Sequence, residues 1–261
     1  MGIDGCKAGW LAVFLQGERA WFAVAATLEA VLANTSPALV LLDMPIGLSG
    51  GDALAPDGIA PIAQRQVDKA VRALMPGKGS SVFTPPSRAA LHAKDYRHAC
   101  DINQQQVGSK LSKQAFYIAP KIQQVDAFLR AHKSMQKLVR EAHPELCFAG
   151  LNPASLKSMA LSGRKKALTP LLTSKKTAEG RAARMQLLQR HWPSAEALCA
   201  EVQKSTLKKE VALDDVLDAM CLALTAQLGL RHNSLETVTQ GRTVDDCGLP
   251  MELVYARAYE L

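Results

Sequence analysis

Two aspartates stand in the middle of an apolar stretch in the last fifth of the chain. Asp215 and Asp218 lie within residues 211–224, which contain neither proline nor glycine and are otherwise rich in Val, Leu and Met. This composition predicts a buried helix, on which a spacing of three places the two side chains about 60° apart on one face. Two such carboxylates repel each other unless a divalent cation lies between them. The alternative is that both face solvent and that Asp214 caps the helix.

Three further acids stand where predicted strands end. Asp4 ends the first strand, Asp43 follows an apolar run at 38–42 that is typical of a buried parallel strand, and Glu145 ends a later strand that begins at Leu138. Parallel strands bring their carboxyl ends to one edge of a sheet, where sites usually form. Carboxylates gathered there suit two Mg²⁺ or Mn²⁺ ions, which activate water and stabilise the leaving oxygen of a phosphodiester. Each acid by itself is a weak indication, since Asp is common in turns.

The elements that must position these acids follow an α/β order. Three strands joined by short turns precede a helix and the buried strand, and a further strand, a basic helical region, the acidic helix and a last strand follow. The predicted strands are 1–5, 10–15, 20–25, 38–42, 138–145 and 253–256, and the predicted helices are 28–33, 62–74, 88–102, 113–134, a helical region over 155–207, and the helix around 211–224. Residues 50–137 contain loops and helices with little apolar content, so we interpret them as an insertion within a single domain over 1–261.

Composition restricts the class of protein. The 261 residues are 48% hydrophobic and 21% charged, as in a soluble globular protein, and no apolar run has membrane-spanning length. The early charge at Asp4 argues against a signal peptide. Six cysteines without a C-x-x-C pair favour reduced thiols in a cytoplasmic protein over a zinc site or a disulfide framework.

The net charge of +7 is unevenly distributed. Residues 64–210 contain 26 Lys and Arg against 10 Asp and Glu, whereas the remaining residues contain 5 against 14. This pattern favours a surface that binds a polyanion beside an acidic pocket, although separate solvated helix faces would produce it too. The candidates for contacting the phosphates of a nucleic-acid substrate are Lys7, Arg65, Arg72, Lys121, Lys175 and Arg181.

The order of the acids resembles that of the RNase H-like superfamily, in particular the RuvC-type resolvases, whose late helix has the pattern D-x-x-D-A found here at 215–219. The chain is more closely similar to domain-of-unknown-function family 429, a family of predicted nucleases. The motifs that carry this similarity are GIDGCKAGW at 2–10, DMPIG at 43–47, R-x-x-D-x-x-x-R at 65–72, SVFTPP at 81–86, E-x-H-P-E at 141–145, and Lys175 with Gly180.

The resemblance implies an RNase H-like mixed five-stranded sheet with flanking helices and a largely helical insertion. It also implies a metal-dependent nuclease with the catalytic residues Asp4, Asp43, Asp215 and Asp218, and the position of Glu145 makes it a fifth catalytic candidate. The four aspartates would be the ligands of Mg²⁺ or Mn²⁺. DNA and RNA, branched and linear substrates, a small phosphorylated substrate in place of nucleic acid, and a monomer and a homodimer all stay open.

Two other functions compete with a nuclease. An actin-like or sugar-kinase-type phosphotransferase also begins with a strand followed by Asp-Gly, but it needs a second such domain and an adenosine site, for which we find no pattern. A nucleic-acid-binding module without catalysis is disfavoured because buried carboxylates without a metal cost stability. His143 is a candidate base or ligand, with a structural role as the alternative, and Gly77-x-Gly79 lacks the phosphate-loop pattern.

Overall fold

An antiparallel meander opens the fold. The computed structural model describes residues 1–50, 65–155, 168–241 and 243–257. Its first strands are β1 (Gly2–Cys6), β2 (Gly9–Gln16) and β3 (Arg19–Ala25), and β1 pairs with β2 so that Asp4 lies opposite Leu11. Gly17 has a φ of +62° in the turn between β2 and β3, a conformation that glycine adopts without strain. The predicted N-terminal strands are therefore confirmed.

Two parallel strands complete the sheet. The strand β4 (Val40–Leu42) pairs in parallel with β1, and β5 (Val139–Glu141) pairs in parallel with β4, which gives the order β3-β2-β1-β4-β5. All three residues of β4 are buried, as expected for a strand with a parallel neighbour on each side. The predicted α/β class with a mixed five-stranded sheet of the RNase H-like type is confirmed.

Helices cover both faces of this sheet. The described α-helices are α1 (Leu28–Leu32), α2 (Gln66–Leu74), α3 (Tyr96–Val107), α4 (Lys113–Ala131), α5 (Pro144–Leu151), α6 (Ala178–His191), α7 (Ala195–Ser205) and α8 (Leu213–Arg231). Short 3-10 helices span Gly79–Ser81, Arg88–His92 and Lys133–Lys137, and a separate hairpin pairs β6 (Leu235–Val238) with β7 (Leu253–Ala256). The helix predicted over 88–102 is instead a 3-10 turn followed by α3, because Asp95 caps a new helix by accepting from the N–H of His98 (2.8 Å).

Two apolar layers hold the sheet between the helices. On one face, strand residues such as Leu11 and Leu41 pack against α2, α5, α6, α7 and α8. On the other, Ile3 and Leu42 pack against α1 and α4, which contributes Ile122 among other residues. The helix α4 belongs to the predicted insertion at 50–137 yet packs in this main core, and the boundaries of the insertion stay a prediction because 51–64 lie outside the described residues. In the parts of the chain that the structure describes, no helix is long and apolar enough to cross a membrane.

Candidate functional site

Close packing of α8 on β1 brings the acidic residues together. A Cβ at Gly2 would lie 2.2 Å from the backbone nitrogen of Ala223 and 2.3 Å from the carbonyl oxygen of Ala219, so only glycine allows the helix to lie this close to the strand. Residues 2 and 4 of a strand face the same side. Asp4 therefore points towards the N-terminal turns of α8, where Asp215 and Asp218 lie.

Asp43 reaches the same edge from β4. Its N–H donates to the carbonyl oxygen of Ile3 (3.0 Å), which places it beside the end of β1. Burial raises the pKa of Asp4 well above its ordinary value, and the negative charges of Asp43, Asp218 and Asp215 raise it further. Burial likewise raises the pKa of Asp43 and of Asp218 to about 7 each, although the charge of Lys175 opposes both shifts. The structure thus gathers all four predicted aspartates into one interacting cluster, which we call the carboxylate cluster.

The neighbours Asp214 and Asp215 face different surroundings. The Asp215 carboxylate accepts from the N–H of Ala212 (3.0 Å) at the start of α8, and its charge raises the pKa of both Asp4 and Asp43. Asp214 instead lies 3.7 Å from the Nζ of Lys176, whose side chain is 79% exposed. Asp215 therefore belongs to the carboxylate cluster, and Asp214 lies towards the surface.

Lys175 contacts the carboxylate cluster directly. Its ammonium donates to the Oδ2 atom of Asp218, a residue that is 1% exposed, and also acts electrostatically on Asp4 and Asp43. The Oδ1 atom of Asp218 is buried and has no hydrogen-bond partner within the described residues. Lys175 was expected to contact substrate, and its carboxylate partner could not be recognised from the sequence because the two residues are 43 positions apart.

Glu145 lies near the cluster but is bound on both oxygens. The Arg184 guanidinium donates to Oε1 (2.7 Å) and Oε2 (2.8 Å), and both side chains are buried. Lys78 Nζ is a further 4.0 Å from Oε1. In this structure Glu145 is the partner of a buried arginine, and the catalytic role predicted for it stays a prediction. Arg184 was missed, because no pattern separates it from the other basic residues of α6.

A second buried arginine supports the loop that follows Asp43. Arg65 Nη2 donates to both oxygens of Glu141 (3.0 and 2.8 Å), and Glu141 Oε2 accepts from the N–H of Ile46 (2.6 Å). Burial raises the pKa of Glu141 to about 8 even though the charge of Arg65 opposes the shift. Because Arg65 is only 1% exposed, its position does not agree with the substrate-binding role expected for it. It holds the DMPIG segment in place instead.

Arg72 and His143 contact the loop at 76–86, which is rich in glycine and proline. Arg72 donates to the carbonyl oxygen of Val82 (2.9 Å) and to the hydroxyl of Thr84 (2.8 Å). His143 Nε2 lies 3.1 Å from the carbonyl oxygen of Ser81, and burial lowers the pKa of this imidazole. These contacts favour the structural alternative for His143 and show Arg72 engaged with the protein itself.

The remaining candidate cations lie around the same edge of the sheet. Lys7 is exposed in the turn between β1 and β2, and Arg181 donates to the carbonyl oxygen of Lys176 (2.6 Å). Lys121 donates to the carbonyl oxygen of Gly9, and its Nζ lies 4.7 Å from the centroid of the Trp10 ring. Burial lowers the pKa of Lys121, and the charges of Asp4 and Asp215 act in the opposite direction.

Comparison with known families assigns the chain. The model of a family described as protein of unknown function (DUF429) matches residues 2–240, which include the whole five-stranded sheet and the carboxylate cluster. The chain belongs to the DUF429 family. Searches of curated proteins and of solved structures found no match.

The carboxylate cluster of this DUF429 protein has the donor chemistry of a divalent-metal site, but its oxygens are not arranged as a finished one. Among the described residues, no group of three or more His, Cys, Asp or Glu side chains is positioned to hold a metal ion. Three of the four carboxylates accept hydrogen bonds from the protein itself, Asp4 from the N–H of Gly5 (2.7 Å), Asp215 from Ala212 and Asp218 from Lys175. The donors are nevertheless all oxygen, as Mg²⁺ and Mn²⁺ prefer, and the buried Oδ1 of Asp218 is unpaired.

The raised pKa values predict how the stability of the metal-free protein depends on pH. The pKa of Asp43 and Asp218 is about 7 when folded and 3.8 ordinarily, so the folded state binds more protons between these values. The contribution of both groups to the free energy of unfolding therefore decreases as the pH rises from about 4 to 7. Urea unfolding in EDTA should show a smaller decrease for Asp218→Asn than for the wild type. Equal slopes in the two proteins would contradict the shift.

Proposed function

We propose that this protein is a divalent-metal-dependent nuclease that hydrolyses phosphodiester bonds of nucleic acid. The observation that supports this function best is the convergence of Asp4, Asp43, Asp215 and Asp218 from two strands and one helix. Burying carboxylates that raise one another's pKa is costly, and such arrangements concentrate at functional sites. An RNase H-like sheet with acids at these positions suits this chemistry.

The reaction places simple demands on the site. A water oxygen bonds to phosphorus, the ester P–O bond breaks, one proton of the water is released, and the leaving oxygen takes up a proton. A bound Mg²⁺ or Mn²⁺ would lower the pKa of the water and offset charge on the phosphate. The residues that would hold it are Asp4, Asp43, Asp215 and Asp218, which form one interacting cluster in which Asp4 and Asp218 are buried and Asp43 and Asp215 are half-buried.

Charge around the site favours a polyanionic substrate. The turn that carries exposed Lys7 follows directly on the strand of Asp4, and exposed Lys176 lies beside Asp214 at the start of α8. The positive charge concentrated in 64–210 would add long-range attraction for nucleic acid. The cytoplasmic location and the choice between DNA and RNA stay predictions.

A cleavage assay tests the proposal. Single-stranded, double-stranded and branched DNA and RNA are incubated with Mg²⁺, Mn²⁺ or EDTA, and the products are resolved on gels. We expect metal-dependent cleavage of at least one substrate, its loss in EDTA and in Asp4→Asn, and its retention in Asp101→Asn, which changes an exposed acid of α3. Salt-sensitive binding without cleavage in any metal would point to the binding module instead, and cleavage that survives Asp4→Asn would refute the assigned site.

A further inference from the structure

The ammonium of Lys175 lies against the carboxylate cluster. It donates to Oδ2 of Asp218 and acts on Asp4 and Asp43, so it is a positive charge inside the carboxylate cluster. Asp218 is the most deeply buried of the four acids, and Lys175 neutralises it without an external ion.

The segment that carries Lys175 is anchored on both sides. The carbonyl oxygen of Thr173 accepts from Arg184 (3.2 Å) and from Lys78 Nζ (3.5 Å). On the other side of Lys175, Thr177 caps α6 by accepting from the N–H of Gly180 (3.1 Å). A Cβ at Gly180 would lie 1.9 Å from the carbonyl oxygen of Ser174, so glycine is required for this approach. Lys175 is therefore held in position by its backbone and is not a freely moving surface lysine.

We propose that the Lys175 ammonium takes the place of a second metal ion. The site then binds one divalent ion beside the lysine. This inference rests on the proposed metal-dependent function and changes the two-ion arrangement that the sequence suggested. The single ion would be held by Asp4, Asp43 and Asp215, together with the unpaired Oδ1 of Asp218.

The contact between Lys175 and Asp218 supports one ion. A second metal would lie about 3.5–4 Å from the first. The oxygen of Asp218 that would serve it is already bound to Lys175. Placing a second divalent ion beside a fixed ammonium in a partly buried site is electrostatically unfavourable.

The position of Lys175 also leaves it able to meet a substrate. Its side chain is 34% exposed while the carboxylate that it binds is buried. An ammonium has three donors, and the hydrogen bond that it makes within the described residues is the one to Asp218. A phosphate oxygen could accept from another donor, so the expected role in substrate contact and the role as a resident cation are compatible.

Counting bound Mn²⁺ tests the inference. The free Mn²⁺ signal in electron paramagnetic resonance is titrated against wild-type protein, Lys175→Met, Lys175→Arg and the control Lys176→Met. We expect one ion per chain in the wild type, two in Lys175→Met, and one in Lys175→Arg, which keeps the charge. Lys176→Met should also bind one ion, since Lys176 contacts Asp214 at the surface.

The outcomes separate this inference from the proposed function. Two ions on the wild type, or one ion of unchanged affinity on both the wild type and Lys175→Met, would overturn the role of Lys175 and leave a metal-dependent nuclease intact. Absence of binding to the wild type would refute the metal-dependent function itself. The number of Mn²⁺ ions bound to the wild-type protein tests the inference even if Lys175→Met fails to fold. Two ions on the wild type are incompatible with the inference.

Discussion

Asp215→Asn is expected to lower the rate of phosphodiester cleavage by at least ~10³-fold, as the loss of an essential catalytic group does, whereas Asp214→Asn should leave it within about threefold. The two residues are neighbours, but only Asp215 interacts with Asp4 and Asp43. Asp214 pairs with an exposed lysine, and such pairs contribute under about 1 kcal/mol to stability. Single-turnover cleavage of a labelled oligonucleotide at saturating Mn²⁺ measures both variants.

Matched folding makes this comparison decisive. Asn at position 215 keeps an oxygen that can accept from the N–H of Ala212, so the start of α8 should be preserved. Thermal unfolding in EDTA checks that both variants are folded. Equal activities would contradict the assignment of Asp215 as the metal ligand. An inactive Asp214→Asn beside an active Asp215→Asn would assign that role to Asp214.

Arg184→Met is expected to lower the free energy of unfolding by roughly 3–5 kcal/mol, because it leaves the Glu145 carboxylate buried without its partner. Arg181→Met on the same helix is the matched control. Arg181 is only partly buried and donates to a backbone carbonyl group, so its loss should cost less than about 1 kcal/mol. Urea unfolding at pH 7 gives both values, and similar losses for the two arginines would contradict the buried pair.

The double variant Arg184→Met, Glu145→Leu separates structure from catalysis at Glu145. Replacing both members of a buried ion pair by apolar residues restores much of the stability that a single replacement removes. If Glu145 is only the partner of Arg184, the refolded double variant should also keep cleavage within about tenfold of the wild type. A stable double variant without activity would instead support the catalytic role predicted from the sequence.

Local patterns were sufficient for β1 to β4, β7, most helices and the four aspartates. The strand predicted over 138–145 ends at Glu141, because Pro144 begins α5, and neither α5 nor β6 was predicted. The apolar run that became β4 and the apolar stretch around Asp215 and Asp218 are periodic features that depend on near neighbours in the chain. The order of the elements then restricts the topology, since a meander followed by a helix and a buried strand has few ways to form one sheet. The acids at the strand ends follow from the sequence pattern itself, and the family resemblance added the D-x-x-D-A pattern at 215–219.

The partners of the charged residues were decided only by the tertiary structure. Arg184 and Arg181 are three positions apart on one helix, yet one lies against Glu145 and the other lies near the surface. Arg65 is predicted from the sequence to bind substrate, because nothing near it in the chain indicates its partner Glu141, which lies 76 positions away. Arg88 also has partners that only the tertiary structure brings near. It donates to Asp126 (3.0 Å) and to Asp245, which lie in segments distant from it along the chain.

These pairings share a physical reason. Whether a cation faces solvent or a buried carboxylate depends on how helices and strands pack, and no spacing within one element encodes a contact between side chains that are 38 to 157 positions apart. Burial then sets the energetic consequences, because a charge removed from water must find a partner or shift its pKa. The sequence by itself therefore determined which carboxylates lie at the edge of the sheet. The packing of α8 and the anchoring of Lys175 decided which of these charges are already neutralised.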